Sequence, residues 1–272
     1  MKTPLRIGLA LSGGGARGAA HVGLLRALLE HGIVPTHLTG VSAGAIVAAL
    51  YAAGCSPDAM LEFGITSSLR RFIRMGIPTT GLTKLDYLKE RLALHIPEDD
   101  FASLRRPLHI GITNLNNGVG ELRSAGPLLD VIAASCSIPF LFKPVELDGH
   151  QYVDGGVVAN MPVDPLIHET DFIIGSNLMP YANLAPTDVG TVVGIVWRCF
   201  DLGIMANTRP AAALCDLVIE PAQLNDYSIF HLHKLRELHD IGYAETVRRI
   251  PELRRAIAQK RELLLAAGHQ SS

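Results

Sequence analysis

The stretch Gly40-Val41-Ser42-Ala43-Gly44 places a serine between two glycines in the order G-x-S-x-G. Such a serine sits on a turn too tight for large flanking side chains, and its hydroxyl projects where a strand ends and a helix begins. That placement suits a nucleophile attacking an ester carbonyl, because the helix N-terminus favours the negative charge that develops. A second group is the run Gly13-Gly14-Gly15, followed by Arg17 and Gly18. Amides in such a turn suit an anion, and two anions fit. Gly13, Gly15 and Gly18 satisfy G-x-G-x-x-G, which suggests a dinucleotide pyrophosphate. The same amides could hold the oxyanion of an ester being cleaved, with Arg17 steadying an anionic group.

A dinucleotide site usually places an acidic residue about 20 positions on, at the end of the second strand. Here that strand ends in Thr39-Gly40-Val41-Ser42, and the nearest acid, Glu30, falls at the end of a helix. No Gly-Lys-[Ser/Thr] follows the glycines either, so the acyl-transfer reading is favoured. A serine nucleophile needs a base. Among 11 histidines, only His109 and His168 merit consideration, and neither has a convincing partner in the sequence. Asp154 is the stronger candidate. Gly155 and Gly156 directly follow it and let the backbone turn tightly toward another loop.

These groups need a scaffold, and the hydrophobic pattern supplies one. Leu5–Leu11 and His37–Val41 read as buried strands, each followed by a helical pattern, the first to about His31-Gly32 and the second from Ala43 to Ala53. Strand, helix, strand, helix implies parallel pairing with right-handed crossovers. Ser56-Pro57 reads as an N-cap followed by a first-turn proline. Thr83 is expected to cap a helix to about Leu92. Asn116-Asn117-Gly118 and Asp148-Gly149 mark two hairpins. Leu128–Ala134 is expected to be helical, and Phe172–Ser176 and Leu217–Ile219 to be buried strands. From about Phe230 the pattern is helical, with an interruption expected at Pro251.

The bulk numbers agree with one large α/β unit over residues 1–272. Apolar residues make up 48% and charged residues 18%, which describes a globular chain. A formal charge of −2 gives no argument for nucleic acid. The four cysteines contain no C-x-x-C pair, so no zinc cage is indicated, and their scatter suits a reducing cytoplasm. The N-terminal stretch reads better as a strand than as a signal peptide, and no run is long enough for a membrane span. The segment 69–78, LRRFIRMGIP, mixes three arginines with apolar side chains. That mixture suits a transient contact at a membrane surface, although an ordinary half-exposed helix is the commoner explanation.

Four motifs together, GGGARG (13–18), GVSAG (40–44), ASCSIPFLFKP (134–144) and DGGVVANMP (154–162), resemble the patatin-like phospholipases, with bacterial members related to neuropathy target esterase the most similar. The resemblance spans about residues 5–180. It implies a three-layer α/β/α sandwich with a mainly parallel central sheet. It implies a Ser-Asp dyad without histidine, in which Ser42 matches the nucleophile and Asp154 the general base. Gly13, Gly14 and Gly15 match the oxyanion-hole loop, with Arg17 at the family's basic position. Neither metal nor cofactor is implied, and the partner is a lipid or acyl-ester substrate met in the cytoplasm or at the membrane periphery. The alternative from another class is a regulatory protein that senses an acyl ligand on the same scaffold.

Overall fold

The computed structural model describes residues 5–67, 85–181 and 190–270. Strand β1 (Ile7–Leu11) leads through the glycine turn into helix α1 (Ala19–Glu30), and β2 (His37–Gly40) leads into α2 (Ala43–Ala53). Helices α3 (Pro57–Thr66) and α4 (Asp86–Ala93) precede β3 (Leu108–Asn114), β4 (Gly120–Arg123) and α5 (Leu128–Ser135). Next come β5 (Val145–Leu147), β6 (His150–Asp154), α6 (Asp164–Glu169) and β7 (Phe172–Ser176). Helix α7 (Val192–Ala213), β8 (Leu217–Ile219) and α8 (Leu235–Gln270) complete the order.

The strands form an eight-stranded sheet in the order β5-β6-β3-β2-β1-β7-β8, with β4 paired to β3. Neighbours from β3 through β2, β1 and β7 to β8 are parallel, whereas β4, β5 and β6 are antiparallel additions at one side. The mainly parallel sheet expected from the sequence is therefore present. Alternation along the strands serves both faces. Leu9, Leu11, Phe172 and Ile174 face a core shared with α1, α2, α5 and α8. Ala10 and Ile173 face the opposite side, against Leu166 of α6 and Ala211 and Ala212 of α7. Helices on both sides of the sheet make the α/β/α sandwich.

Local signals behave as their chemistry dictates. Ser56 caps α3 by accepting from the Ala59 amide at 3.3 Å, with Pro57 in the first turn. Asp148 and Gly149 both adopt positive φ, 52° and 76°, which is the two-residue turn a tight hairpin requires between β5 and β6. One expectation differs from the structure, and one element has no counterpart in the sequence reading. Helix α8 does not break at Pro251. Pro251 lies on the exposed face, where water can satisfy the carbonyl it deprives, while Ile250 and Leu253 beside it are buried in the core and hold the helix in place. Helix α7 was not anticipated at all. The expected cap Thr83 and the segment 69–78 lie outside the described residues.

Candidate active site

Strand register brings the chemistry-bearing loops together. Leu11 lies opposite Gly40 in the β1–β2 pair, so the turns that follow the two strands leave the sheet side by side. A side chain on Gly44 would overlap the carbonyls of Leu11 and Ser12, so only glycine lets α2 start pressed against the end of β1. Gly40 pairs with Ile110 and Asp154 pairs with Ile112. Ser42, two residues past Gly40, therefore reaches the level of Asp154 on the far side of β3. Gly155 completes the approach, because a side chain there would overlap the Gly111 carbonyl.

Ser42 is the N-cap of α2 and holds φ 54° and ψ −123°, a conformation that side chains other than glycine's rarely adopt. Such a backbone costs about 1–3 kcal/mol and persists only when its surroundings over-determine it. Here the Ser42 amide donates to Ser135 Oγ at 2.8 Å, and Ser135 Oγ donates to the Gly111 carbonyl at 2.7 Å. Ser135 ends α5 and is fully buried, so the strained turn is tied to β3 through one hydroxyl.

Asp154 ends β6 and is held from three sides. Its amide donates to the Ser137 carbonyl at 3.0 Å, and its carbonyl accepts from Thr113 Oγ1 at 3.0 Å. Its carboxylate accepts from the Gly156 amide at 2.8 Å and from the Ser42 hydroxyl. Burial pushes its pKa up to about 6, against the two hydrogen bonds, which pull it down. Ser42 and Asp154 are each 5% exposed. They line one pocket of about 380 Å³, counting its open mouth, together with Gly13, Gly14, Gly15, Asn160 and an apolar wall that includes Ile138, Met179, Phe200, Ile204 and Ile229.

The glycine turn has a definite donor inventory. The Gly13 amide is already taken by Asn160, through the side-chain oxygen at 3.1 Å and the carbonyl at 3.2 Å. The Ala16 amide donates to the Ile229 carbonyl at 2.8 Å. The amides of Gly14 and Gly15 meet no acceptor among the described residues. Arg17 does not share the pocket. Its guanidinium donates to the Tyr227 carbonyl at 2.8 Å, the Leu178 carbonyl at 3.1 Å and the Met179 sulfur at 3.3 Å. It thereby fastens the turn to two later loops, and burial lowers its pKa while Asp201 opposes that shift. Of the candidate site residues, the structure brings Gly13, Gly14, Gly15, Ser42 and Asp154 together and directs Arg17 elsewhere.

The histidines are placed outside this pocket. His109 Nε2 lies 3.1 Å from Glu169, and His168 is exposed on α6. His21 is fully buried between Ser12 and Ser176, its Nε2 2.9 Å from the Ser12 carbonyl and its Nδ1 2.8 Å from Ser176 Oγ. A carbonyl can only accept, so Nε2 carries the proton and the Ser176 hydroxyl donates to Nδ1. His21 thus braces the ends of β1 and β7 beneath the glycine turn, and burial lowers its pKa to about 4. Glu30, the acid weighed for a ribose, accepts from the Tyr243 hydroxyl at 2.7 Å at the far end of α1.

Sequence reasoning gave no role to several residues that shape the site. Asn207 of α7 donates to the carbonyls of Gly156 at 2.9 Å and Val157 at 3.3 Å, and accepts from the Asn160 amide at 3.1 Å. Phe200, Asp201 and Ile204 of the same helix line the pocket. The motif strings contained Ser135 and Asn160 without indicating what they hold. Nothing local pointed to α7.

Comparison with known proteins places this arrangement in a lineage. An uncharacterized NTE family protein of Mycobacterium tuberculosis is 31% identical over 164 residues, covering 59% of this chain and 45% of that protein. Lysophospholipase NTE1 of Saccharomyces cerevisiae is 32% identical over 165 residues, covering 58% of this chain and 10% of that one. The chain therefore spans less than half the length of either relative. Human GIVD cytosolic phospholipase A2 shares the fold, with a TM-score of 0.52 at 11% identity over 95% of this chain and 60% of that chain. The pattern of the patatin-like phospholipases matches residues 9–167, which carry Gly13–Gly15, Ser42 and Asp154. That match spans more than half of the sequence, and on it the chain belongs to the patatin-like phospholipase family.

Proposed function

We propose that this protein is a serine acyl hydrolase that cleaves lipid carboxylic esters through an acyl-enzyme, with Ser42 as nucleophile and Asp154 as general base. The observation that carries the proposal is the buried hydrogen bond from a strained serine to a carboxylate of raised pKa, beside two amides that meet no acceptor among the described residues. As Ser42 Oγ attacks the ester carbon, its proton passes to Asp154 and the carbonyl oxygen takes the negative charge. The amides of Gly14 and Gly15 are the donors open to that oxyanion, and such a donor is typically worth about 3–4 kcal/mol. Gly13 contributes by fixing the turn through Asn160 rather than by donating. Asp154 then hands the proton to the departing alcohol oxygen as the tetrahedral carbon collapses to the Ser42 ester. Water attacks that ester, gives its proton to Asp154, and the serine leaves with a proton returned from Asp154. The apolar wall of the pocket suits an acyl chain.

A transient contact with a lipid surface belongs to the same proposal. Val192, Val193, Ile195, Val196 and Leu202 of α7 are exposed on the helix whose other residues line the pocket. An apolar strip beside the pocket suits substrate drawn from a bilayer. No helix among the described residues is long and apolar enough to cross a membrane. The names of the NTE1 lysophospholipases support the lipid-ester class. Hydrolysis of a para-nitrophenyl ester series by the wild type, beside Ser42→Ala and Asp154→Asn, tests the proposal. Turnover in the wild type and its loss in both folded variants is the expected result.

A further inference from the structure

The charged residues lining the Ser42 pocket are both carboxylates, Asp154 and Asp201. Among the described residues no lysine, arginine or histidine lines it. Asp154 is occupied by Ser42 and Gly156. Asp201 is not occupied by any of the described residues: among them its half-buried carboxylate accepts no hydrogen bond, and no cation stands within 4.0 Å. Arg17 and Arg198 offset its charge only at longer range, and burial raises its pKa against them. The guanidinium of Arg17 is already committed to the Leu178 and Tyr227 carbonyls. Phe200 and Ile204, its neighbours on the pocket face of α7, bring no donor.

A carboxylate withdrawn from water without a donor is costly, and a ligand that supplies the donor recovers that cost. Within an ester substrate the acyl chain is apolar and the carbonyl only accepts. A donor can come only from the alcohol half. We propose that Asp201 is a specificity-determining residue that selects esters whose alcohol half carries a hydroxyl or ammonium donor and no net negative charge. This rests on the acyl-hydrolase proposal above and adds the substrate class to it. An anionic alcohol half would meet two carboxylates in a pocket that no cation of the described residues faces, and like charges at such range oppose binding strongly.

The test compares four octanoyl esters, of ethylene glycol, 2-(dimethylamino)ethanol, 2-methoxyethanol and glycolate. Each kcat/KM is normalised to the alkaline hydrolysis rate of the same ester. The wild type is expected to turn over the glycolate ester at least about tenfold less efficiently than the ethylene glycol ester, with the methoxy ester between them. The hydroxyl and ammonium arms identify which donor is preferred. Asp201→Asn, which keeps the volume and a donor-acceptor group, is expected to bring the glycolate ester to within about threefold of the ethylene glycol ester. Asp201→Ser serves as the second variant should the first not fold. Equal efficiency of all four esters in the wild type would overturn the inference and leave the hydrolase proposal standing. Discrimination that persists in a folded Asp201 variant would overturn it as well. Absence of turnover on any ester would sink the hydrolase proposal and the inference with it.

Discussion

In water an aspartate has a pKa near ~3.9, which makes it a weak base toward a serine hydroxyl. At the end of β6 burial lifts Asp154 to about 6 while its hydrogen bonds to Ser42 and Gly156 keep it aimed. A base must be ionised to work. On the proposed mechanism kcat/KM should therefore rise with pH through a single ionisation near 6 and level off above it. A pH–rate profile checks this, and a rate that falls as pH rises through that window would contradict it. Ser42 and Gly13–Gly15 were legible as candidates in the sequence because they sit in turns that few residue types tolerate, and Asp154 because two glycines follow it. Ser135 and Asp201 were not. A serine that holds an amide and an aspartate that faces a pocket look like any others until the fold supplies their neighbours.

At the scale of elements, the half of the site contributed by β1, β2, β3 and β6 follows from strand register; the alternating strand and helix pattern implied the β1–β2 part of it, and the antiparallel β3–β6 pairing that brings in Asp154 came only with the fold. Helix α7 escaped that logic. Its sequence is apolar on the pocket face and on the exposed face alike, and Gly194, Gly203 and Pro210 interrupt it. Helix-breaking residues in its sequence masked its helical period, and a further local sign is the Thr191 cap, which accepts from the Gly194 amide at 3.0 Å. Yet α7 clamps the turn after Asp154 through Asn207. Asn207→Ala would strip partners from two carbonyls and one amide, at about 1 kcal/mol each. Steady-state kinetics and thermal melts should show kcat lowered by roughly tenfold and Tm lowered by a few degrees. An unchanged kcat would mean that the clamp does not position the Asp154 turn.

For the whole molecule, two buried groups pull stability in opposite directions with pH. Asp154 titrates at about 6 in the folded chain against 3.8 for an ordinary aspartate. Between those values the native state holds a proton the unfolded state has lost, so stability from this group falls as pH rises. His21 titrates at about 4 against 6.5. There the unfolded state binds the proton that the native state refuses, so stability from this group falls as pH drops. The two slopes oppose each other between about pH 4 and 6. Asp154→Asn removes the first and leaves the second. The variant should melt a few degrees above the wild type at neutral pH, where the ionised buried carboxylate costs about 3 kcal/mol, and the difference should vanish near pH 4. A neutral-pH melt below that of the wild type would contradict this account. Such compensation belongs to the assembled fold, and only the identities of its two members were visible in the sequence.

The same substitution offers the most direct test of the central claim, that Ser42 attacks with Asp154 as its base. The measurement is kcat/KM of folded Asp154→Asn on the best para-nitrophenyl ester above pH 7, with Ser42→Ala beside it. The account predicts that both variants fall to background while Asp154→Asn is at least as stable as the wild type. A folded Asp154→Asn protein that keeps wild-type turnover would contradict it.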